Sequence, residues 1–99
     1  MSGFAFTIAE AHPALPGHFP GRPIVPGVLL LDETLAGIEQ RLGRRVATLQ
    51  QVKFVAALLP GETAFVSFEP KGERVSFVVQ TQRDGGPAKL ATGTVSLSP

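Results

Sequence analysis

The sequence predicts an α+β protein in which a five-stranded antiparallel sheet wraps around one long helix. One stretch, residues 28–42, places its apolar side chains at helical spacing, and five other segments alternate apolar and polar residues as strands do. A single helix with one apolar face needs a sheet to cover it, so a sheet curling around the helix is the simplest arrangement. The 99 residues are expected to form one domain, 1–99.

The first predicted strand covers residues 4–10, where Phe4, Phe6 and Ile8 fall on one face. It is followed by a loop, residues 11–27, that is rich in proline and glycine. Because its prolines lack amide donors and restrict φ, this loop cannot form regular structure. We therefore expect an irregular but rigid segment between the first strand and the helix.

The helix is predicted to run from residue 28 to residue 42, and Pro26 suits a position at or just before its first turn. Gly43 comes directly after the last apolar position and is a suitable C-cap. The apolar positions that define the predicted buried face are Val28, Leu31, Leu35, Ile38 and Leu42.

Four further strands are expected to follow the helix in antiparallel succession. A break in alternation at residues 50–51 predicts a bulge in the first of them, and Pro60 and Gly61 mark the turn that follows. Residues 70–73 and 84–87 are predicted to close two hairpins. The four predicted strands are 46–58, 63–69, 74–82 and 89–97.

The composition excludes several classes of function. A formal net charge of +1, with both signs mixed along the chain, gives no basic stripe for nucleic acid. The absence of cysteine excludes disulfides and thiolate chemistry, and two isolated histidines do not form a metal-binding pattern. The longest apolar run, residues 28–31, is too short to span a membrane, and no signal peptide is recognised. A soluble cytoplasmic protein is expected.

The most distinctive stretch, residues 17–32, presents His18 on the rigid loop and then begins the helix. From His18 to Gly27 it fits the pattern His-Phe-Pro-Gly-x-Pro-(Ile/Val)-x-Pro-Gly, and Asp32 lies fourteen residues after His18. This pattern resembles the signature of the 3-hydroxyacyl-acyl-carrier-protein dehydratases. Lys53-Phe54 and residues 60–62, Pro-Gly-Glu, are similar to a weaker second signature of that family. The resemblance covers roughly residues 12–62.

The resemblance implies the hot-dog fold, in which the sheet wraps the helix and two sheets pair into a homodimer or a higher oligomer. The chain would be a minimal version of that fold. It also implies that His18 and Asp32 are catalytic, with Asp32 contributed across the dimer interface, and that the Gly27 amide holds the substrate oxygen. Phe19, Pro26 and Val28 are implied as substrate-binding neighbours.

The residue types fit these roles on chemical grounds. A lone loop histidine is ordinarily a backbone cap, but proline and glycine fix His18 on both sides, and an imidazole that titrates near neutral pH suits general acid–base work. His12, beside Pro13, is expected to be an ordinary loop residue. The Gly27 amide at a helix N-terminus would favour negative charge developing on a thioester oxygen, although a glycine needed only for the turn is the alternative.

Two neighbouring acids compete for the second catalytic role. On a helical projection of about 100° per residue, Asp32 falls between Val28 and Ala36 at the edge of the apolar arc, whereas Glu33 joins Gln40 on the polar side. We therefore favour Asp32 as the acid and expect Glu33 to lie at the solvated surface. The alternative for Asp32 is an acid that only complements the helix dipole.

Two further features bear on the substrate. The dehydratases commonly have Gln four residues after the acid, and Ala36 stands there instead, which bears on substrate range more than on reaction type. The basic residues that could contact an acidic acyl carrier protein are Arg22, Arg44, Arg45, Lys53 and Lys71.

The resemblance implies dehydration of a 3-hydroxyacyl thioester on acyl carrier protein to the trans-2-enoyl thioester. No metal or redox cofactor is expected, because the thioester itself acidifies the α-carbon. Short variants with an Asp are similar to dehydratases of dedicated acyl or aryl-polyene pathways. Two alternatives are a hot-dog acyl thioesterase and a non-catalytic subunit that binds an acyl carrier.

Overall fold

The computed structural model describes residues 2–9 and 24–99, which contain one helix and five strands. The helix, α1, is Gly27–Leu42. The strands are β1 Ser2–Thr7, β2 Val46–Phe54, β3 Thr63–Lys71, β4 Arg74–Arg83 and β5 Gly86–Leu97. The predicted five-stranded antiparallel sheet with a single long helix is confirmed for this part of the chain.

The five strands lie in the order β1-β3-β4-β5-β2, and every neighbouring pair is antiparallel. The expected succession is correct for β3, β4 and β5 but wrong for β2, which pairs with β5 at one edge of the sheet. β3 has no place for β2 because β1 and β4 occupy its two sides. Residues 55–62 therefore cross the end of the sheet between β2 and β3.

Both predicted hairpins are present, with tighter turns than the sequence indicated. Lys71 pairs with Arg74, so residues 72 and 73 alone form the first turn, and Gly72 supplies its positive φ of 60°. Pro70, expected in this turn, instead lies in β3 opposite Val75. A two-residue turn with positive φ matches the twist of the strands it joins, so the ladder continues to the turn.

Strand β2 carries the predicted bulge, since its register against β5 shifts between Leu49 and Gln51. A second shift lies between Val46 and Thr48. The strand was predicted to run to residue 58, but it ends at Phe54. The apolar residues continue beyond Phe54, but their backbone no longer follows the ladder, and of residues 55–59 only Leu58 is buried.

Strand β1 is also shorter at its C-terminal end than the alternation indicated. It ends at Thr7, and Ile8 is buried just beyond it with only 3% of its surface exposed. Residue 10, the predicted end of this strand, and most of the predicted loop lie outside the described residues.

The core lies between α1 and the face of the sheet that it covers. Leu30, Thr34 and Ile38 of α1 are buried there, and the Thr34 hydroxyl donates a hydrogen bond of 2.8 Å to the Leu30 carbonyl. This bond satisfies a polar group that would otherwise be costly to bury. The largest strand residues in this core are Val66, Phe68, Val75, Phe77, Val79, Leu90, Val95 and Leu97.

The buried face of α1 is rotated from the predicted one. Its centre follows Leu30, Thr34 and Ile38, whereas Val28, expected in the buried face, is 72% exposed. A count of apolar residues misses this rotation for two reasons. Three consecutive leucines at 29–31 allow several rotations, and Thr34 is acceptable in the core only because of its own backbone hydrogen bond.

The ends of α1 follow the prediction. The helix begins at Gly27 directly after Pro26, and Gly43 closes it in the left-handed conformation, with φ 66° and its amide donating to the Glu39 carbonyl at 2.8 Å. Across the part of the chain that the structure describes, no helix has the length and apolarity needed to cross a membrane.

Candidate active site

The N-terminus of α1 offers backbone donors to an incoming ligand. The Pro26 carbonyl accepts from the amides of Leu29 and Leu30, at 3.0 and 3.1 Å. Among the described residues, the Gly27 and Val28 amides have no hydrogen-bond acceptor, and the first turn carries no acidic side chain. These free donors and the helix dipole together favour a negatively polarised oxygen at this end of the helix.

Gly27 is needed for a close contact rather than for a turn. It is the first residue of α1, and it is not among the described glycines that have positive φ. A Cβ placed on Gly27 would lie 3.1 Å from Cε1 and 3.2 Å from Cζ of Phe54. The Phe54 ring, which is 48% exposed, therefore covers the helix start closely, and a larger residue than glycine at position 27 would require the ring to shift.

An apolar pocket of about 390 Å³ lies beside this helix start. Its volume falls within the range of roughly 300–1,000 Å³ that is typical of small-molecule sites. The described residues of the lining carry no charged side chain, which suits an aliphatic or aromatic chain better than a polar ligand. Its residues are Ile24, Val25, Gly27, Leu30, Phe54, Val55, Ala56, Ala57 and Leu58.

Asp32 and Glu33 are placed differently from the expectation. Asp32 is exposed and Glu33 is half-buried, so the surroundings predicted for the two acids are reversed in the single chain. The rotation of α1 causes this change, because it turns Val28, Asp32 and Ala36 outward as one row. That row combines a large apolar residue, an acid and a small residue on one open face.

The remaining candidates have mixed outcomes. His18 and Phe19 lie outside the described residues, so the proposed pairing of His18 with Asp32 stays a prediction. Arg22 lies outside them as well. Pro26 precedes α1 and is half-buried, and Val28 lies beside the helix start with its side chain exposed.

The described basic residues do not form one cluster at the pocket. Arg44, just beyond the end of α1, donates to Glu73 at 2.6 Å, which brings the β3–β4 hairpin with Lys71 to that end of the helix. A 16-residue helix is about 24 Å long, so Arg44 and Arg45 are far from Gly27. Lys53, next to Phe54, is the described basic candidate at the pocket end.

Two parts of the site were not among the sequence candidates. One is the pocket wall formed by residues 55–58, which sequence analysis assigned to a strand. The other is an ion pair between Glu62 and Arg83, which lies behind that wall. The Pro-Gly-Glu sequence before β3 belongs to the second signature, but that pattern does not predict that Glu62 pairs with Arg83.

Solved structures with the same architecture identify the class of protein. The dehydratase heterocomplex ApeI:P from Xenorhabdus doucetiae aligns with a TM-score of 0.77 and 22% identity, over 98% of this chain and 86% of that one. A mutant of the fluoroacetyl-CoA-specific thioesterase FlK aligns with a TM-score of 0.66 and 19% identity, over 99% of this chain and 87% of that one. The chain has the hot-dog fold.

Sequence comparison then identifies the family. The family model ApeI-like, described as ApeI dehydratase, matches residues 2–93, and the chain belongs to this family. A 3-hydroxyacyl-[acyl-carrier-protein] dehydratase FabZ from Rhodopseudomonas palustris (strain HaA2) is 32% identical over 73 residues. That alignment covers 63% of this chain and 48% of the relative, so the chain spans about half the length of the curated relatives it matches.

Proposed function

We propose that this protein dehydrates a 3-hydroxyacyl thioester carried on acyl carrier protein and gives the trans-2-enoyl thioester. The observation that carries the proposal is the apolar pocket beside the Gly27 and Val28 amides, which have no acceptor among the described residues, in a member of a dehydratase family. An acyl chain in the pocket would bring its thioester carbonyl to the helix start, where the free donors lie.

The proposed reaction uses three groups of the chain. His18 removes the proton from the α-carbon while the Gly27 amide donates to the thioester oxygen, which gains negative charge as the C–H bond breaks. The electron pair then forms the α,β double bond, and the C–O bond at the β-carbon breaks. Asp32 gives its proton to the departing hydroxyl, which leaves as water.

A second subunit is part of the proposal because the described residues leave Asp32 on an open face. The outward row of Val28, Asp32 and Ala36 begins in the first turn of α1, and among the described strands β2 has no partner other than β5. Unpaired edges and exposed apolar patches are typical of surfaces that meet a partner. The large apolar side chains most exposed are Val28, Leu49, Phe54, Val55, Leu59 and Phe65.

We propose a homodimer in which His18 of one subunit faces Asp32 of the other. The solved ApeI:P dehydratase is a heterocomplex, so a second, different subunit is the other arrangement to test. In both arrangements the site is completed across the interface.

An acyl carrier protein as the partner is supported by the FabZ relatives, which are 3-hydroxyacyl-[acyl-carrier-protein] dehydratases. Lys53 is exposed and precedes Phe54 of the pocket, so among the described basic candidates it is the one proposed to contact an acidic carrier. Ala36 replaces the usual Gln on the exposed row, and its small side chain leaves room there for a substrate different from that of the longer relatives.

The direct test is to incubate the purified chain with 3-hydroxyacyl thioesters on acyl carrier protein and to follow the loss of water by mass spectrometry. Enoyl thioester formation without free thiol supports the proposal. Release of free thiol in a thiol-trapping assay would instead assign a thioesterase. An unchanged substrate that remains bound to the protein would assign a non-catalytic subunit.

A further inference from the structure

The wall of the pocket opposite α1 is irregular backbone, and its position depends on hydrogen bonds to other elements. The Val55 amide donates to the Leu90 carbonyl of β5 at 2.7 Å. The Leu58 carbonyl accepts from the Val25 amide at 2.8 Å, and the Leu58 side chain is 1% exposed. The wall is therefore connected both to the sheet and to the residues that lead into α1.

An ion pair outside the pocket holds this wall on both sides of Leu58. Arg83, the last residue of β4, donates from Nη2 to the Ala57 carbonyl at 2.7 Å. The Glu62 carboxylate accepts from the Leu59 amide at 2.8 Å. Arg83 and Glu62 are joined by two hydrogen bonds of 2.9 Å, which is a bidentate pair with a defined orientation. We call Glu62 and Arg83 the clamp.

The clamp connects the wall to two strands of the sheet, β3 and β4. Arg83 pairs with Gly86 at the end of the β4–β5 ladder, and Glu62 directly precedes β3. Neither residue lines the pocket. A substitution in the clamp would therefore change the pocket by moving residues 57–59. Through the hydrogen bond between Val25 and Leu58, it would also move the residues that precede Gly27.

We propose that Glu62 and Arg83 are positioning residues that set the shape of the acyl pocket and thereby its preference for acyl length. This proposal rests on the proposed function for the identity of the occupant. The clamp touches neither the substrate nor the reacting atoms, so it acts on binding of the acyl chain rather than on the chemical step. Loss of uniform binding raises KM and leaves kcat nearly unchanged.

The chain offers a matched control in a second Arg–Glu pair. Arg44 and Glu73 form an ion pair of 2.6 Å at the far end of α1, and Arg44 also donates to a backbone carbonyl, that of Ser98. The two arginine side chains are equally exposed, each at 35%. Arg44→Met therefore removes the same kinds of interaction as Arg83→Met, but far from the pocket.

The experiment compares wild type, Arg83→Met and Arg44→Met with 3-hydroxyacyl thioesters of short and long acyl chain. For Arg83→Met we expect KM for the long chain to rise about fivefold, the scale of a partly exposed ion pair, with kcat within about twofold. We expect a smaller effect on the short chain, and we expect Arg44→Met to keep the wild-type ratio of long-chain KM to short-chain KM, because Arg44 does not line the pocket. Equal profiles for the two variants, or a fall in kcat alone, would overturn the proposal.

Binding of a saturated acyl thioester, measured by calorimetry, separates this proposal from the proposed reaction. If wild type binds it but dehydrates nothing, and Arg83→Met weakens the long chain selectively, the clamp stands and the dehydratase assignment fails. If wild type is an active dehydratase and Arg83→Met binds the short and the long acyl chain as Arg44→Met does, the proposal for the clamp is wrong and the proposed reaction stands. Glu62→Gln, which keeps an acceptor for the Leu59 amide, serves in the same test if Arg83→Met does not fold.

Discussion

At the scale of single residues, the two neighbouring acids of α1 give the sharpest test of the proposed chemistry. Asp32 is exposed on the row with Val28 and Ala36, and Glu33 is half-buried on another face. Asp32→Asn keeps the shape of the side chain but removes the proton that the leaving hydroxyl needs. We expect the dehydration rate to fall by a factor on the order of 10² or more, because general acid catalysis contributes about that much.

Glu33→Gln is the matched control, since it makes the same chemical change one residue further along the helix. We expect dehydration to continue at nearly the wild-type rate, and circular dichroism should show both variants folded. An inactive Glu33→Gln together with an active Asp32→Asn would show that the acid is Glu33, on the other face of α1. That result would contradict the assignment.

Alanine substitutions at two glycines of α1 distinguish an effect on activity from an effect on thermal stability. Gly27→Ala would press a methyl group against the half-exposed Phe54 ring, which can turn away, and alanine is the better helix former by up to about 1 kcal/mol. We therefore expect little change in Tm but a fall of roughly tenfold in activity, because the moved ring and the crowded amide disturb the helix start.

Gly37→Ala should show the opposite behaviour. Its added methyl would overlap the Phe4 ring, which is held between Arg41, at 4.2 Å from the ring centre, and Phe68. Overpacking of this kind costs typically about 1–3 kcal/mol, so Tm should fall while the remaining folded protein keeps its turnover. Thermal unfolding and turnover of the two variants, measured side by side, check the contrast.

At the scale of elements, the ion pair that holds the connection between β2 and β3 makes the stability of the folded protein depend on pH. The Arg83 guanidinium, which donates to both carboxylate oxygens, lowers the pKa of Glu62 from its ordinary value of 4.5. Burial opposes this more weakly, and the hydrogen bond from the Leu59 amide adds a smaller lowering. Because the folded-state pKa is lowered, this stabilisation is complete above about pH 4.5 and is lost as the pH falls through the lower value.

Arg83→Met is therefore expected to be less stable than wild type near pH 7 by about 1 kcal/mol or less, the usual scale of a partly exposed ion pair. The difference should shrink as the carboxylate becomes protonated. Urea unfolding of both proteins at pH 7 and at pH 3 measures it. A difference that stays constant over this range would mean that Glu62 does not carry the effect.

The elements differ in how far the sequence could predict them. The ends of α1 were predictable because Pro26 and Gly43 act locally, and the hairpins because Gly72 and the glycines near residue 85 permit tight turns. The place of β2 was not predictable in this way, because strand pairing depends on residues distant in sequence. The resemblance to the dehydratases gave the fold without giving that strand order.

The same distinction applies to the candidate site. The sequence predicted the start of α1 to within one residue, at residue 28, and the structure adds the close contact between Gly27 and Phe54. The rotation of α1, and with it the surroundings of Asp32, depended on the buried hydrogen bond of Thr34, which an apolar pattern does not show. Glu62 and Arg83 stand 21 residues apart, and only the folded sheet brings them together.

At the scale of the whole molecule, a site shared between two copies makes a quantitative prediction. His18→Ala and Asp32→Asn should each be nearly inactive as separate dimers. When equal amounts are unfolded together and refolded, half of the dimers are mixed, and one site in each mixed dimer keeps both residues. We expect about a quarter of the wild-type activity to return, by the symmetry of a two-fold dimer.

Sedimentation of each variant should show a dimer at micromolar concentration, which controls for loss of assembly. No recovery in a mixture that has formed mixed dimers would mean that His18 and Asp32 of the same subunit act together. A folded monomer with full activity would contradict the shared site altogether.

The position of β2 at the edge of the sheet also sets an order of events during folding. β3, β4 and β5 are joined by two short turns and can pair as soon as they are made, because contacts near in sequence form fastest. By contrast, Phe4 must find Val66 and Val46 must find Leu97 across most of the chain. The three-stranded meander is therefore expected to form first, with β1, α1 and β2 docking onto it later. Until β2 docks, Val46 and Val52 remain in water instead of packing against the core, and the longer this state lasts, the more chance the chain has to join a neighbour's sheet instead of completing its own.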